Sequence, residues 1–194
     1  TVGLGVRALA ETGRDEAVPP LVRLGSAMRS EMVRLAGETT AVTFARHVEV
    51  LTTAIEVVRA LGRLGDGRAW PLIEWALGVR PGQVASVADL RLRERRWELR
   101  RAGVLALAGM RDHARAQARA SRVLGDRDPR LRAEAARAIG LRGESAGFGL
   151  LRRALRDHDP EVRWEAARGL GGLKTPGVAA PLLQALGDPH PRVV

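Results

Sequence analysis

Arginine and tryptophan are the side chains in this sequence whose chemistry best suits binding. Arginine beside aromatic rings is typical of the residues that dominate protein–protein interfaces. The same combination binds single-stranded nucleic acid through base stacking and phosphate contacts. Alternatively, the indole rings fill space between neighbouring helices, since tryptophan is usually well buried. The six candidate binding residues are Trp97, Arg101, Arg130, Arg137, Trp164 and Arg168.

The sequence contains no recognisable catalytic or metal-binding set. Its 194 residues include no cysteine, which excludes a disulfide scaffold, a cysteine-ligated zinc site and a thiol nucleophile. His158 between two aspartates and His190 near Asp188 have spacings unlike those of a known metal site. No serine has a histidine partner at an interpretable spacing, and there is no glycine-rich phosphate-binding loop. We therefore expect a protein that is not an enzyme, with no catalytic residues, metal or cofactor.

The chain is basic, and its positive charge is concentrated in one segment. The net charge is +10, and 31 of the 32 cationic residues are arginine. Residues 1–77 are neutral overall, residues 78–137 carry +8 and residues 138–194 carry +2. A GC-rich coding sequence would enrich arginine everywhere, so it does not explain this clustering. The basic segment favours an acidic protein partner or nucleic acid, although a run of charges is most often a solvated face.

A repeat of 31 residues organises the second half of the chain. The segment Asp-Arg-Asp-Pro-Arg-Leu-Arg at 126–132 returns as Asp-His-Asp-Pro-Glu-Val-Arg at 157–163, and Asp188 begins a third copy. Two earlier stretches, 8–21 and 60–73, match the second half of the unit. Self-similarity at a fixed period of this length is typical of stacked repeat proteins.

Each unit predicts two helices. Asp128 and Asp159 are each followed by proline, which supplies a helix N-cap and a favourable first helical residue. Val162, Ala166 and Leu170 then lie on one face of a helix that glycine ends. A second helix is expected over 178–186. One pair of helices cannot bury its apolar stripe, so neighbouring units must stack.

The unit resembles the HEAT-repeat family, in particular the bacterial PBS-lyase HEAT-like repeats. The shared motif, Asp-x-Asp-Pro-x-(Val/Leu)-Arg-x-x-Ala-Ala-x-x-(Leu/Ile)-Gly, is present at 126–140 and 157–171. The resemblance covers most of the chain. It implies an all-α, armadillo-like, right-handed α-solenoid of about four to five HEAT-like helical hairpins. It also implies that the first helix of each unit lines the concave face, where the candidate binding residues would lie.

The same resemblance implies a structural ladder of Asp–Arg pairs between adjacent repeats. Arg100, Arg132 and Arg163 occupy one position in successive units, and Asp128 and Asp159 lie four residues before the last two arginines. A row of arginines could instead form a track for phosphate groups. We favour the ladder.

We predict a single HEAT-like repeat domain over 1–194, as a piece of a longer array, because neither end has a polar capping repeat. Insertions at 25–48 and 78–94 interrupt the period and should emerge on the same edge, the first as added helix and the second mainly as a loop. Inserted segments often mark the binding side of a repeat protein, although loops also change length neutrally. The predicted units are approximately 1–24, 49–77, 95–125, 126–156 and 157–187, with the next starting at 188–194.

The sequence therefore predicts a non-enzymatic scaffold that binds an acidic or extended protein partner on its concave face. Nucleic-acid binding through the same basic Arg/Trp groove is the first alternative. The second is a subunit of an enzyme that resembles the bilin lyases or the alkylpurine DNA glycosylases, which also use such repeats. No segment suits a membrane span or a secretory signal, so we expect a cytoplasmic location. The oligomeric state stays open.

Overall fold

The computed structural model describes residues 2–11, 15–36, 40–80, 82 and 86–193. Throughout these ranges every regular element is a helix, which confirms the predicted all-α class. The α-helices are α1 (Val2–Glu11), α2 (Val18–Leu35), α3 (Ala41–Leu64), α4 (Trp70–Gly78), α5 (Val87–Gly109), α6 (His113–Val123), α7 (Pro129–Arg142), α8 (Phe148–Ala154), α9 (Pro160–Gly172) and α10 (Ala179–Ala185). Short 3-10 turns lead into α2, α4 and α8, at Asp15–Ala17, Gly67–Ala69 and Ser145–Gly147 respectively.

The chain divides into two compact units, Thr1–Arg111 and Asp112–Val194. Within each unit, helices that are close in sequence pack on one another, which is the arrangement of the predicted α-solenoid. The division falls between α5 and α6, two helices that the sequence assigns to one repeat. A single repeat domain over 1–194 therefore stays a prediction.

In the first unit, α3 packs against α1, α2 and α5, and α4 packs against α5. Glycine lets α3 and α5 approach closely, because a Cβ atom added to Gly109 would lie 2.0 Å from the carbonyl oxygen of Gly62. The fully buried side chains of this core include Leu21, Leu51, Leu61, Ile73, Leu99 and Leu107.

In the second unit, α7 packs along α9, and α8 packs against both of them. The predicted apolar stripe of α9 is confirmed, since Val162, Ala166 and Leu170 are all fully buried. Two glycines bring the backbones of α7 and α9 together. A Cβ atom added to Gly140 would lie 2.6 Å from the Cα atom of Gly169.

The Asp-Pro pairs start α7 and α9, as the sequence predicts. The carboxylate of Asp128 accepts a hydrogen bond of 3.0 Å from the backbone N–H of Arg130, and that of Asp159 accepts one of 2.9 Å from Glu161. Proline follows in the first turn of each helix. These caps satisfy backbone N–H groups that have no partner within the helix.

Helix α6 has a small buried apolar face, and polar contacts supplement it. Its fully buried side chains are Ala116 and Ala120. The side-chain amide of Gln117 donates a hydrogen bond of 2.5 Å to the carbonyl oxygen of Ala146, and His113 contacts the carboxylate of Glu144. These bonds join α6 to the turn that precedes α8 in the next repeat.

The two insertions mainly lengthen helices. The first supplies the carboxyl-terminal half of α2 and the amino-terminal part of α3, so the expectation of added helix is confirmed. The second insertion is predicted to be mainly a loop, yet α5 begins at Val87 and gains about two turns from the insertion. Residues 81 and 83–85 of the predicted loop lie outside the described residues. Ser86 explains this start, since its hydroxyl accepts a hydrogen bond of 3.1 Å from the N–H of Asp89.

Candidate functional site

The six candidate binding residues lie in two groups. Trp97 and Arg101 lie on α5 in the first unit, whereas the other four lie on α7 and α9 in the second. Those of the second unit are Arg130, Arg137, Trp164 and Arg168.

On α5, Trp97 and Arg101 form a local pair one helical turn apart. The guanidinium carbon of Arg101 lies 5.8 Å from the centre of the indole ring, within the range of a cation–π contact. Both side chains are half-buried. The pair therefore presents an aromatic surface and a positive charge at one position on the helix.

On α7, the two candidate arginines interact with carboxylates of their own helix or its cap. Arg130 donates hydrogen bonds of 3.3 and 3.1 Å to Asp128, the residue that caps α7. A nitrogen of Arg137 lies 3.9 Å from a carboxylate oxygen of Glu134. Neighbouring acids thus reduce the net charge that these arginines present to a partner.

On α9, Trp164 is the centre of the most developed arrangement of candidate residues. Its half-buried ring has the guanidinium of Arg168 at 5.2 Å and that of Arg192 at 4.7 Å from its centre. We call Trp164, Arg168 and Arg192 the Trp164 cluster. Arg192 was not among the predicted residues. The 31-residue period could have indicated it, since Arg192 repeats the position of Arg130 two units later.

Two glutamates fix the arginines of the Trp164 cluster. Arg168 donates hydrogen bonds of 3.0 and 2.7 Å to one carboxylate oxygen of Glu165, which is only 7% exposed. Arg192 donates one of 2.6 Å to Glu161. Each guanidinium carries five N–H donors, so donors remain on both arginines for the carboxylates of a partner.

The predicted ladder pairs Arg132 with an aspartate of the following repeat. Arg132 donates two hydrogen bonds, of 2.8 and 2.7 Å, to the carboxylate of Asp157, and a third of 3.0 Å to the backbone carbonyl of Asp126. Burial is the largest influence and tends to raise the pKa of Asp157, but the hydrogen bonds from Arg132 and from the backbone N–H of Asp159, together with the positive charge of Arg132, lower the pKa overall. The carboxylate therefore stays ionised and bound to the guanidinium.

The next repeat contains the same arrangement. Arg163 donates hydrogen bonds of 2.7 and 2.9 Å to Asp188 and one of 3.0 Å to the backbone carbonyl of Asp157. The hydrogen bond from Arg163 lowers the pKa of Asp188 to about 2. Pairing with an aspartate of the next repeat thus explains why Arg132 and Arg163 recur at the same position of the repeat, and no phosphate track is needed to explain them.

The aspartates predicted for the ladder have a different role. Asp128 and Asp159 cap α7 and α9, so their oxygens bind backbone N–H groups of their own repeat. The ladder uses Asp157 and Asp188 instead, 25 residues after their arginines. Arg100, the third predicted arginine, donates a hydrogen bond of 3.2 Å to the backbone carbonyl of Leu77.

A further basic groove lies between α8 and α10, outside the segment with the highest charge in the sequence. It encloses about 680 Å³, and three arginines of the α8 region line it. Within the part of the chain that the structure describes, these arginines form no ion pair. They are Arg152, Arg153 and Arg156.

Among the residues that the structure describes, no helix is both long and apolar enough to cross a membrane. Among the same residues, no group of three or more histidine, cysteine or acidic side chains is placed to hold a metal ion.

Comparison with known proteins supports the repeat assignment. The family model described as HEAT repeats matches residues 116–194, which contain most of α6 and all of α7–α10. No curated protein matches the chain. The matched part includes the repeated Asp-Pro caps, the Arg–Asp ladder and the Trp164 cluster. The match supports the assignment of residues 116–194 to the HEAT-repeat family.

Proposed function

We propose that the chain is a non-enzymatic scaffold that binds an acidic or extended protein partner. HEAT repeats commonly mediate protein interactions. The observation that carries the proposal is the Trp164 cluster, in which a half-buried indole ring is in contact with two arginines.

The chemistry of the Trp164 cluster suits a peptide that carries carboxylates. The indole offers a rigid apolar surface, and tryptophan and arginine are enriched among residues that dominate binding energy. Glu161 and Glu165 hold the two guanidiniums in place, so less side-chain freedom is lost when a partner binds. The remaining N–H donors then meet carboxylates of the partner.

Positive charge elsewhere in the second unit favours an acidic partner. Arg152, Arg153 and Arg156 add positive charge to the same unit, and none of them has a carboxylate partner among the described residues. Unpaired positive charge raises the association rate of a negative partner over distances up to about the Debye length of 8–10 Å. This supports an acidic ligand rather than a neutral one.

The proposal is tested with a fluorescently labelled acidic peptide that contains proline, so that it stays extended. Its dissociation constant is measured by fluorescence anisotropy for the unmodified chain and for Arg192→Glu. We expect binding to weaken about tenfold or more, since a hydrogen bond to a charged group contributes about 1.5–3 kcal/mol. Arg192 is an exposed residue outside the apolar core, so its replacement should leave the fold intact.

Lys174→Glu provides the matched control, because it makes the same charge change at an exposed turn of the same unit. It should alter the dissociation constant by less than about twofold. Equal weakening by both variants would mean that net charge, not the Trp164 cluster, determines binding, and would refute the proposed site. A single-stranded DNA that binds more tightly than the peptide, with a steep loss as salt rises, would replace the protein partner with nucleic acid.

A further inference from the structure

The basic groove between α8 and α10, which we call the α8–α10 groove, carries positive charge that no carboxylate of the described residues balances. Arg152 and Arg153 lie in the last turn of α8, and Arg156 follows shortly after its end. One acidic residue, Asp188, also lines the groove, but its carboxylate accepts hydrogen bonds of 2.7 and 2.9 Å from Arg163. Because Arg163 balances Asp188, the charges of the three groove arginines remain available to a ligand.

The 31-residue repeat does not explain two of these arginines. Arg156 stands where the preceding and following repeats have Gly125 and Gly187. Arg152 stands where the preceding repeat has Ser121. The arginines of the ladder, in contrast, recur in both repeats because they join one repeat to the next. Stacking of the repeats therefore needs neither Arg152 nor Arg156, which favours a role for them in binding.

The size and lining of the α8–α10 groove suit a ligand that meets all three arginines. The groove encloses about 680 Å³, within the range of about 300–1,000 Å³ that is typical of ligand clefts. The residues of α10 that line it, such as Ala180 and Gln184, are uncharged. The guanidinium carbon of Arg152 lies 5.8 Å from the ring centre of Phe148, so part of its side-chain freedom is already lost before a ligand binds.

A phosphate monoester matches the charge of the groove better than a carboxylate does. It carries about −1.5 to −2 charges at pH 7 and has three strong acceptor oxygens. A carboxylate carries a single negative charge on two oxygens. Since guanidinium binds phosphate through two parallel hydrogen bonds, three guanidiniums in one groove favour a phosphate group.

The lining of the groove favours a phosphorylated peptide over nucleic acid. Single-stranded nucleic acid is held by aromatic rings on which its bases stack, and the residues that line the described groove include no aromatic side chain. A nucleic-acid backbone is bound by cations that contact many successive phosphates. Arg152 and Arg156 are separated by a rise of only about 6 Å, at 1.5 Å per residue. The charge of the groove is thus concentrated at one place rather than spread along a backbone.

We propose that the α8–α10 groove binds a phosphoserine or phosphothreonine of a protein partner, with the phosphate group between Arg152, Arg153 and Arg156. The proposal goes beyond the function argued above, because it assigns a separate site with a different ligand chemistry. It does not use the Trp164 cluster.

The test follows by NMR a titration of the full chain with a peptide that contains one phosphoserine between alanine and glycine residues. We expect this peptide to bind at least tenfold more tightly than the same peptide without phosphate, because charged hydrogen bonds to the arginines are lost without it. A peptide with glutamate in place of phosphoserine should bind about fivefold more weakly. Equal binding of the phosphorylated peptide and either comparison peptide, or no binding at millimolar concentration, would overturn the inference.

A double variant, Arg152→Ser with Arg156→Gly, replaces two groove arginines with the residues of the preceding repeat, so the fold should be retained. It should weaken binding of the phosphopeptide about tenfold or more. Arg127→Ser with Lys174→Ser is the matched control, because it removes two positive charges from exposed positions of the same unit outside the groove. The control should change the dissociation constant by less than about twofold. Equal weakening by the two double variants, both shown to be folded by far-UV circular dichroism, would contradict a site in the groove.

Further outcomes separate this inference from its alternatives. Single-stranded DNA that binds more tightly than the phosphopeptide, and loses binding in the groove variant, would overturn the inference in favour of nucleic acid. If the phosphopeptide responds to Arg192→Glu and not to the groove variant, phosphate binds at the Trp164 cluster, and this inference fails while the proposed function stands. If the extended acidic peptide alone fails to bind, the proposed function fails and this inference stands.

Discussion

Gly140→Ala should lower the free energy of unfolding by about 1–3 kcal/mol, the usual cost of forcing an extra group into a packed contact. The added Cβ atom would lie 2.6 Å from the Cα atom of Gly169, a separation that real Cβ atoms essentially never show. Gly169 has no side chain that could move away, so α7 and α9 must separate. Their separation would loosen the packing around Ile139 and Leu170 as well.

Gly171 provides a control for Gly140, because it occupies the same position in the next repeat. A Cβ atom there would meet nothing within 4 Å. Since alanine favours helix over glycine by up to about 1 kcal/mol, Gly171→Ala should be neutral or slightly stabilising. Urea denaturation followed by circular dichroism compares the two variants. A similar change in both would show that α7 and α9 do not make the close contact described here.

Arg132→Ala should destabilise the second unit by about 2–3 kcal/mol, in the range for hydrogen bonds to charged groups. The side chains of Arg132 and Asp157 are only 16% and 15% exposed, so the pair is largely shielded from water. Removing the guanidinium would leave the carboxylate of Asp157 without its bidentate partner and would remove the hydrogen bond from Arg132 to the carbonyl of Asp126. An uncompensated, partly buried charge is more costly than the loss of a surface ion pair.

Arg130→Ala is the comparison for Arg132→Ala, because Arg130 lies on the same helix and its side chain is about half exposed. Its loss should change the free energy of unfolding by no more than about 0.5 kcal/mol. Arg132→Lys should fall between the two, since lysine keeps the charge but cannot form the bidentate contact. Denaturation midpoints in urea measure all three. An effect of Arg132→Ala no larger than that of Arg130→Ala would contradict the ladder.

Much of the fold was predictable from local sequence. The Asp-Pro pairs predict the starts of α7 and α9, and the spacing of Val162, Ala166 and Leu170 predicts which face of α9 is buried. These features depend on neighbouring residues within one helix. The close contact between Gly140 and Gly169 depends on how two helices cross. The 31-residue repeat does not indicate it, because the residue equivalent to Gly140 in the next repeat is Gly171.

The ladder shows why partners are harder to predict than roles. The sequence indicates that Arg132 is structural and that Asp–Arg pairs join adjacent repeats, but it takes Asp128 and Asp159 as the aspartates of the ladder. Each of these two residues caps its own helix, so its carboxylate accepts a hydrogen bond from a backbone N–H group there. Asp157 precedes the cap of the next repeat, and stacking places its carboxylate against Arg132. Only the packing of successive repeats reveals this choice.

The candidate site was predictable only in part, because contacts within one helix follow from the sequence whereas contacts between repeats depend on their packing. Trp164 and Arg168 are one helical turn apart, so their contact follows from helix geometry. Arg192 reaches the same ring from 28 residues farther along the chain, and only the fold brings it there. The structure thus separates the arginines into ladder residues such as Arg132, cluster residues such as Arg192, and exposed residues such as Arg91.

Hydrogen exchange of the chain with and without the extended acidic peptide tests the central claim most directly. The claim is that a protein partner binds at the Trp164 cluster. We expect the bound peptide to slow exchange in α9 and in residues 188–193, while exchange in α1–α4 is unchanged. Slowed exchange that leaves α9 and residues 188–193 unaffected, or no change anywhere at saturating peptide, would contradict the claim.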